Sequence, residues 1–193
     1  MERCNWSGSD ELYIKYHDEE WGIPIFQDEK QFEFLVLESA QAGLSWLTIL
    51  RKRENYRKAY DGFNAEKIAS YDSEKIEEIH NNPGIIRNTK KIEASINNAK
   101  QFLIIQKEFG SFCNYIWGFV DGEPIFNNYK EISEVPGKTE LSERISKDLK
   151  SRGFKFLGPT IMYAHMQAVG LYNDHLESCF RHNEVKKIVN NNI

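Results

Sequence analysis

In the stretch "LYNDHLESCF", His175 and Cys179 stand four residues apart, a spacing that on a helix puts both side chains on one face, one turn above the other. Imidazole and thiolate are zinc ligands, and a structural zinc site closes a tetrahedron with four of them. The whole chain has only 3 cysteines and 5 histidines, so a second pair has to come from far away. Cys4 with His17 is the best offer, since both lie in a short N-terminal stretch able to fold back on the C-terminal helix. Cys113 and His182 are rival ligands. A metal held by four protein ligands keeps no open position to activate water, so a zinc hydrolase is not what this set suggests.

Glu38 is a second oddity. It sits in "DEKQFEFLVLESAQAG", where Phe32, Leu35, Val36, Ser39 and Ala40 share one helical face and Phe34, Leu37 and Gln41 another, predicting a helix buried nearly all round. Glutamate is almost never buried without a partner or a task; a helix edge reaching solvent, or an ion pair with an arginine, is the plainer explanation. Trp6, Tyr13, Tyr16 and Trp21 precede it and Trp46 follows, faces suited to a core and equally to stacking on a flat ligand. A third feature is "RGFKFLGPT", a basic turn leading into a helix start. Its backbone N–H groups could hold a phosphate, and with Arg152 and Lys155 it would form a backbone clamp for DNA.

The elements that must position these residues read as helices almost throughout. Gly43 ends the helix that starts near Asp28, and Ser45 caps the next one, "WLTILRKRENYRKAY", with Trp46, Ile49, Leu50 and Tyr56 inward. A long helix is capped near Asn88 and closed by Gly110, and another runs from the cap Thr139 to Gly153. Between Gly118 and Gly137, with Pro124 and Pro136, lies the one long connection, a candidate subdomain boundary. Helix resumes in "FKFLGPTIMYAHMQAVGLYNDHLESCF", broken at Gly158-Pro159 and at Gly170. The fold class is all-α.

With 193 residues the chain suits a single domain over 1–193, with room for two helical subdomains and a pocket between them. Composition is that of a soluble protein, no apolar run can span a bilayer, and "MERCNWSGSD" lacks a secretory signal's apolar core, which places the protein in the cytoplasm with no membrane partner. Three cysteines are too few and too odd a set for a disulfide scaffold, so thiols or thiolate ligands are expected. A net charge of −4 argues mildly against nucleic acid, yet positive charge gathers in "RKRENYRK", "IIRNTKK" and "KDLKSRGFK". These runs would give an acidic molecule one basic face, or else are solvated helix faces.

Taken together, "MERCNW", "LYIKYHDEEWG", "LESAQAGLSWLTILRKRENYR", "NPGIIRN", "RGFKFLGPT" and "GLYNDHLESC" resemble the DNA-3-methyladenine glycosylase I family of the helix-hairpin-helix glycosylase superfamily, over about the first 180 residues. The resemblance implies a structural zinc at Cys4, His17, His175 and Cys179. It implies a pocket for 3-methyladenine built from Glu38, Tyr16 and Trp46, with Trp6, Tyr13 and Trp21 nearby, and Glu38 as the residue on which catalysis depends. Its partner would be alkylated double-stranded DNA, bound by a monomer through Gln41, Gly43 and Leu44 of the "QAGLS" turn, Gln41 to Ser45, the candidate plug for the gap left by a flipped base, and through Lys155, Gly158 and Thr160. The reaction would be hydrolysis of the N-glycosidic bond, with no strand-cleaving lyase step. The alternative is a zinc-stapled helical protein that binds DNA damage without catalysis. Superfamily relatives carry an aspartate after the hairpin that this family is understood to lack, so Asp174 is expected to be a local structural residue. His165 stands where an aromatic is expected, and the tail "RHNEVKKIVNNNI" is unlike the family's varied ends.

Overall fold

Most helices begin where a short polar side chain can take the unpaired N–H groups of the first turn. The structure, a computed structural model, describes residues 1–191. Asp10 accepts from Leu12 and Tyr13 ahead of α1 (Glu11–Glu19), and Ser45 accepts from Thr48 ahead of α3 (Trp46–Ala59). Asn64, Asp72, Asn88 and Ser111 do the same for α4 (Ala65–Ala69), α5 (Ser73–Asn81), α6 (Thr89–Phe109) and α7 (Phe112–Trp117). Thr139 opens α8 (Glu140–Ser151) in a reciprocal pair with Ser142, and α9 (Pro159–Ala168) starts on the proline that the first helical position tolerates. The expected caps at Ser45, Asn88 and Thr139 are thus all in place.

Helix α2 (Asp28–Gln41) runs through the middle of the molecule, and every residue from Gln31 to Ala40 is buried. It packs against α3, α6, α7 and α9. Each fully buried Phe or Leu contributes roughly 1.5–3 kcal/mol, so packing fixes this helix more than its intrinsic propensity does. Asp28 also ties it to α7, accepting from the Phe112 and Cys113 N–H groups at 2.8 Å. His165 of α9 lies wholly buried against Gln31 of α2, its Nε2 2.9 Å from the amide oxygen, and burial lowers its pKa to about 3. The imidazole standing in place of an aromatic is therefore a neutral core group.

The described residues are mostly helical, with one departure from an all-α fold. Beyond α9 the chain does not continue as helix. Gly170 has φ +76°, and a Cβ there would come within 2.4 Å of the Ile23 carbonyl carbon, so only glycine lets the two backbones pass this closely. The chain then extends as β2 (Tyr172–Asn173), parallel to β1 (Ile125–Phe126) in the long connection. Ladder bonds run from Ile125 N–H to the Leu171 carbonyl (2.8 Å) and from Asn127 N–H to that of Asn173 (3.2 Å). A turn follows before α10 (Phe180–Asn191), which takes up most of the tail; its last two residues lie outside the described ones. His175 and Cys179 consequently sit on a turn and not on one helical face. What brings them together is the bond from Cys179 N–H to the Leu176 carbonyl, 2.8 Å.

Candidate functional site

Two carboxylates of α2, five residues apart, are buried to the same degree, Glu33 and Glu38 each 2% exposed, and their surroundings differ completely. Glu33 meets Lys30, Arg53 and Arg57. Burial would raise its pKa, but Arg53 above all brings it below the usual range. Glu38 has no cation near it, its Oε2 has no hydrogen-bond partner, and burial alone pushes its pKa up to about 8. An unpaired buried carboxyl of this kind marks a site made for a missing partner.

That partner would occupy a cavity of about 230 Å³. One wall is aromatic: Trp6 lies 5.1 Å from Tyr13 and 4.9 Å from Trp21 between ring centres, and Tyr16 lies 5.6 Å from Trp46. The Trp46 indole N–H is also buried without a partner. Tyr16 is held protonated far above its normal range, first by burial and then by the Glu38 charge. All six residues expected to form the pocket do line it, together with Gln41. Of the other lining residues, Ile132, Val135, Ala164 and Gln167 carried no signal in the sequence, while Asp174 was expected as a local structural residue. Asp174 accepts from Asn127 (2.7 Å), Tyr163 (2.5 Å) and Gln167 (2.8 Å), so it ties the long connection, α9 and the turn after β2 together. The cavity can hold a flat heterocycle between rings, offering it an acceptor at Glu38 and a donor at Trp46.

Behind the aromatic wall lie Cys4, His17, His175 and Cys179, all buried, with their ligand atoms within 4.8 Å of one another. The Asp18 carboxylate can only accept, so it takes the Nδ1–H of His17 (2.7 Å), and the Trp21 carbonyl takes the Nε2–H of His175 (3.0 Å). This leaves the lone pairs of His17 Nε2 and His175 Nδ1 turned toward the sulfurs, with the Cys4 N–H also reaching His17 Nε2 at 3.4 Å. The sulfur–nitrogen separations are 3.5 Å for Cys179–His17 and 3.6 Å for Cys4–His175 and Cys179–His175. Zinc bonds of about 2.3 Å to sulfur and 2.05 Å to nitrogen, at tetrahedral angles, give edges of about 3.5–3.6 Å. These three edges match those of a zinc tetrahedron, and the two sulfurs, two imidazole nitrogens and their outer oxygen partners form a group that could hold a metal. Neither rival belongs to it: Cys113 lies beside Asp28 at the start of α7, and His182 uses its Nδ1 on the His175 carbonyl.

The cluster and the cavity share no residue, but they touch through two tryptophans of the cavity wall. Trp21 packs edge-on against His175 at 4.6 Å, and Trp6 against His17 at 5.2 Å.

The profile described as methyladenine glycosylase matches residues 6–182. The chain belongs to the methyladenine glycosylase family. It is similar to DNA-3-methyladenine glycosylase of Haemophilus influenzae, 48% identical over 92% of this chain and 96% of that one. DNA-3-methyladenine glycosylase 1 of Escherichia coli is 46% identical over 93% and 96%. Among solved structures, a variant of 3-methyladenine DNA glycosylase I in complex with 3-methyladenine superposes with a TM-score of 0.90 at 39% identity, covering 93% of this chain and 97% of that one. The protein is accordingly an enzyme, a glycosylase.

In this glycosylase the arginines of the first basic run pair with carboxylates of the molecule itself. Arg51 pairs with Asp10, Arg53 with Glu20 and Glu33, and Arg57 with Glu33 and Glu54. Arg152, expected to clamp DNA, is instead bonded to Glu108 and Asp148. The clamp also narrows along the backbone. The N–H groups from Arg152 to Lys155 are bonded internally, that of Lys155 to Asn98 at 2.8 Å, which leaves those of Phe156, Leu157, Gly158 and Thr160 without a protein partner among the described residues. The Lys155 side chain is exposed, as are Gly158 and Thr160. Thr160 lies one helical turn before the cavity residue Ala164, on the same face of α9. Gly43 and Leu44 project from the turn after α2, Leu44 being 40% exposed, beside the cavity residue Gln41.

Proposed function

We propose that the protein excises 3-methyladenine from alkylated double-stranded DNA, turning the nucleotide out of the stack into the cavity and hydrolysing its N-glycosidic bond. The observation that carries this reading is the buried, unpartnered carboxyl of Glu38 facing an aromatic-walled cavity of single-base size. Methylation at N3 makes the adenine cationic and a ready leaving group, so the enzyme needs no strong acid to expel it. In the reaction the C1′–N9 bond breaks, its electron pair leaves with the base, and water adds to the sugar carbon and gives up a proton. Binding the cationic base against Glu38 drives the carboxyl proton off, and the resulting charge pair favours the modified base over neutral adenine. Trp46 would donate to a base nitrogen while Tyr16, Trp6, Tyr13 and Trp21 wall and stack on the ring.

Gln41, Gly43 and Leu44 would fill the vacated stack, and Lys155, Gly158 and Thr160 would hold the backbone at the hairpin between α8 and α9. No lysine lines the cavity among the described residues, which supports a monofunctional enzyme, since strand cleavage by a lyase needs an amine to form a Schiff base. Zinc bound by Cys4, His17, His175 and Cys179 would act as a cross-link. The chain residues it joins hold Trp6 and Trp21 in the wall. No described helix is long and apolar enough to cross a membrane, and a monomer in the cytoplasm completes the reading. Family membership argues against the non-catalytic alternative. The test is to incubate the purified zinc-loaded protein with methylated duplex DNA and assay free bases by chromatography. Release of 3-methyladenine with intact strands is expected; binding without release would sink the proposal.

A further inference from the structure

Lys91 occupies a position that works against its own helix. It lies in the first turn of α6, two residues after Thr89, where the helix dipole disfavours a cation. Its ammonium reaches across to the far end of α2 and donates to the carbonyls of Ala40 and Ala42, both at 2.8 Å. Those are among the carbonyls that the last turn of a helix leaves unpaired. The Gln41 carbonyl between them accepts from Leu44 N–H, and the Gln41 side chain reaches the Leu44 carbonyl at 3.4 Å. Nothing else braces the tip: Gly43 has φ +83°, and a Cβ there would have no neighbour within 4 Å. The turn is therefore held at its base, by Lys91 on one side and the Ser45 cap on the other.

We infer that Lys91 is a positioning residue for the duplex-opening step, a latch that fixes the Gln41–Leu44 turn at the angle at which Leu44 enters the base stack. The inference rests on the proposed glycosylase reading. Lys91 acts through the backbone of the turn: it makes no contact with the base cavity, whose lining does not include it. A rigid wedge matters only where there is a stack to enter, so the latch is needed for duplex DNA and dispensable for a free base or a single strand.

The experiment compares wild type and Lys91→Met on a methylated duplex and on the methylated single strand of the same sequence, with binding of free 3-methyladenine read by tryptophan fluorescence. Expected is a loss of tenfold or more in kcat/KM on the duplex, less than threefold on the single strand, and less than twofold in affinity for the base. Leu44→Ala should lower duplex activity alone and add little in the Lys91→Met background, because both act on one element. Should Lys91→Met fail to fold, Lys91→Gln is read by the same three ratios. An unchanged duplex rate, or equal losses on all three probes, overturns the latch and leaves the glycosylase standing. No base release by wild type fells the glycosylase reading, and the latch with it.

Discussion

At the junction of the chain's two end segments, His17 and His175 each use one ring nitrogen on an oxygen and turn the other toward Cys4 and Cys179, so that every outer demand of the four ligands is met. One aromatic layer away, Glu38 Oε2 and the Trp46 indole N–H meet nothing. Both places are buried and polar, yet one is complete in its outer shell and the other is left short by one partner. A scaffold site gains from satisfaction, which fixes geometry. A recognition site gains from the deficit, because a ligand that supplies the missing partner recovers the penalty of leaving those atoms unpaired.

The comparison breaks most visibly on the closed side. Cys179→Ser should drop the zinc content, measured by atomic emission, from about one per chain to near zero, and lower Tm by on the order of 10 °C, since metal-binding energy becomes folding energy. Cys113→Ser, outside the cluster, should keep the metal. On the open side, Glu38→Gln should reduce base excision at least a hundredfold, the order seen when a site loses a key electrostatic contact, while zinc stays bound. The same variant tests the sign of the burial effect. With a pKa of about 8 in the folded chain against 4.5 unfolded, the native state holds the extra proton between these values, so stability is fully present below the lower one and falls as pH rises toward 8. Urea titrations across that window should show a decline on the order of a few kcal/mol in the free protein, absent in Glu38→Gln. The smallest effect belongs to Trp46→Phe. It keeps a ring and loses the orphaned donor, and should weaken 3-methyladenine binding by about tenfold with no loss of stability.

Much of this contrast could be read from the chain before its fold was known. Glu38 stood out because a helix with Phe32, Leu35 and Leu37 around it has no polar side left for a carboxylate, and Cys4, His17, His175 and Cys179 stood out because soft ligands were scarce. Local pattern failed where the cause was distant. The His175–Cys179 spacing suggests a helix, but Gly170 passing Ile23 and the pairing of β2 with β1 impose a turn, and both partners lie far off in sequence. Ile132 and Val135 are ordinary loop residues until the chain brings them into the lining of the same cavity as Glu38. The arginines of "RKRENYRK" look like a DNA face because most of their acidic partners, Asp10, Glu20 and Glu33, belong to other elements.

The bond from Leu176 N–H to Cys4 sulfur, 3.4 Å, spans 172 positions of chain. Such a contact has a schedule. During synthesis the segment carrying Trp6, Tyr16 and Trp21 emerges first and can lean on α3 through Tyr16–Trp46 and Arg51–Asp10, but the cluster behind it cannot close until residue 179 has been made. A chain stopped short of residue 179 has α2 and its Glu38 without a closed cluster behind the aromatic wall of the cavity.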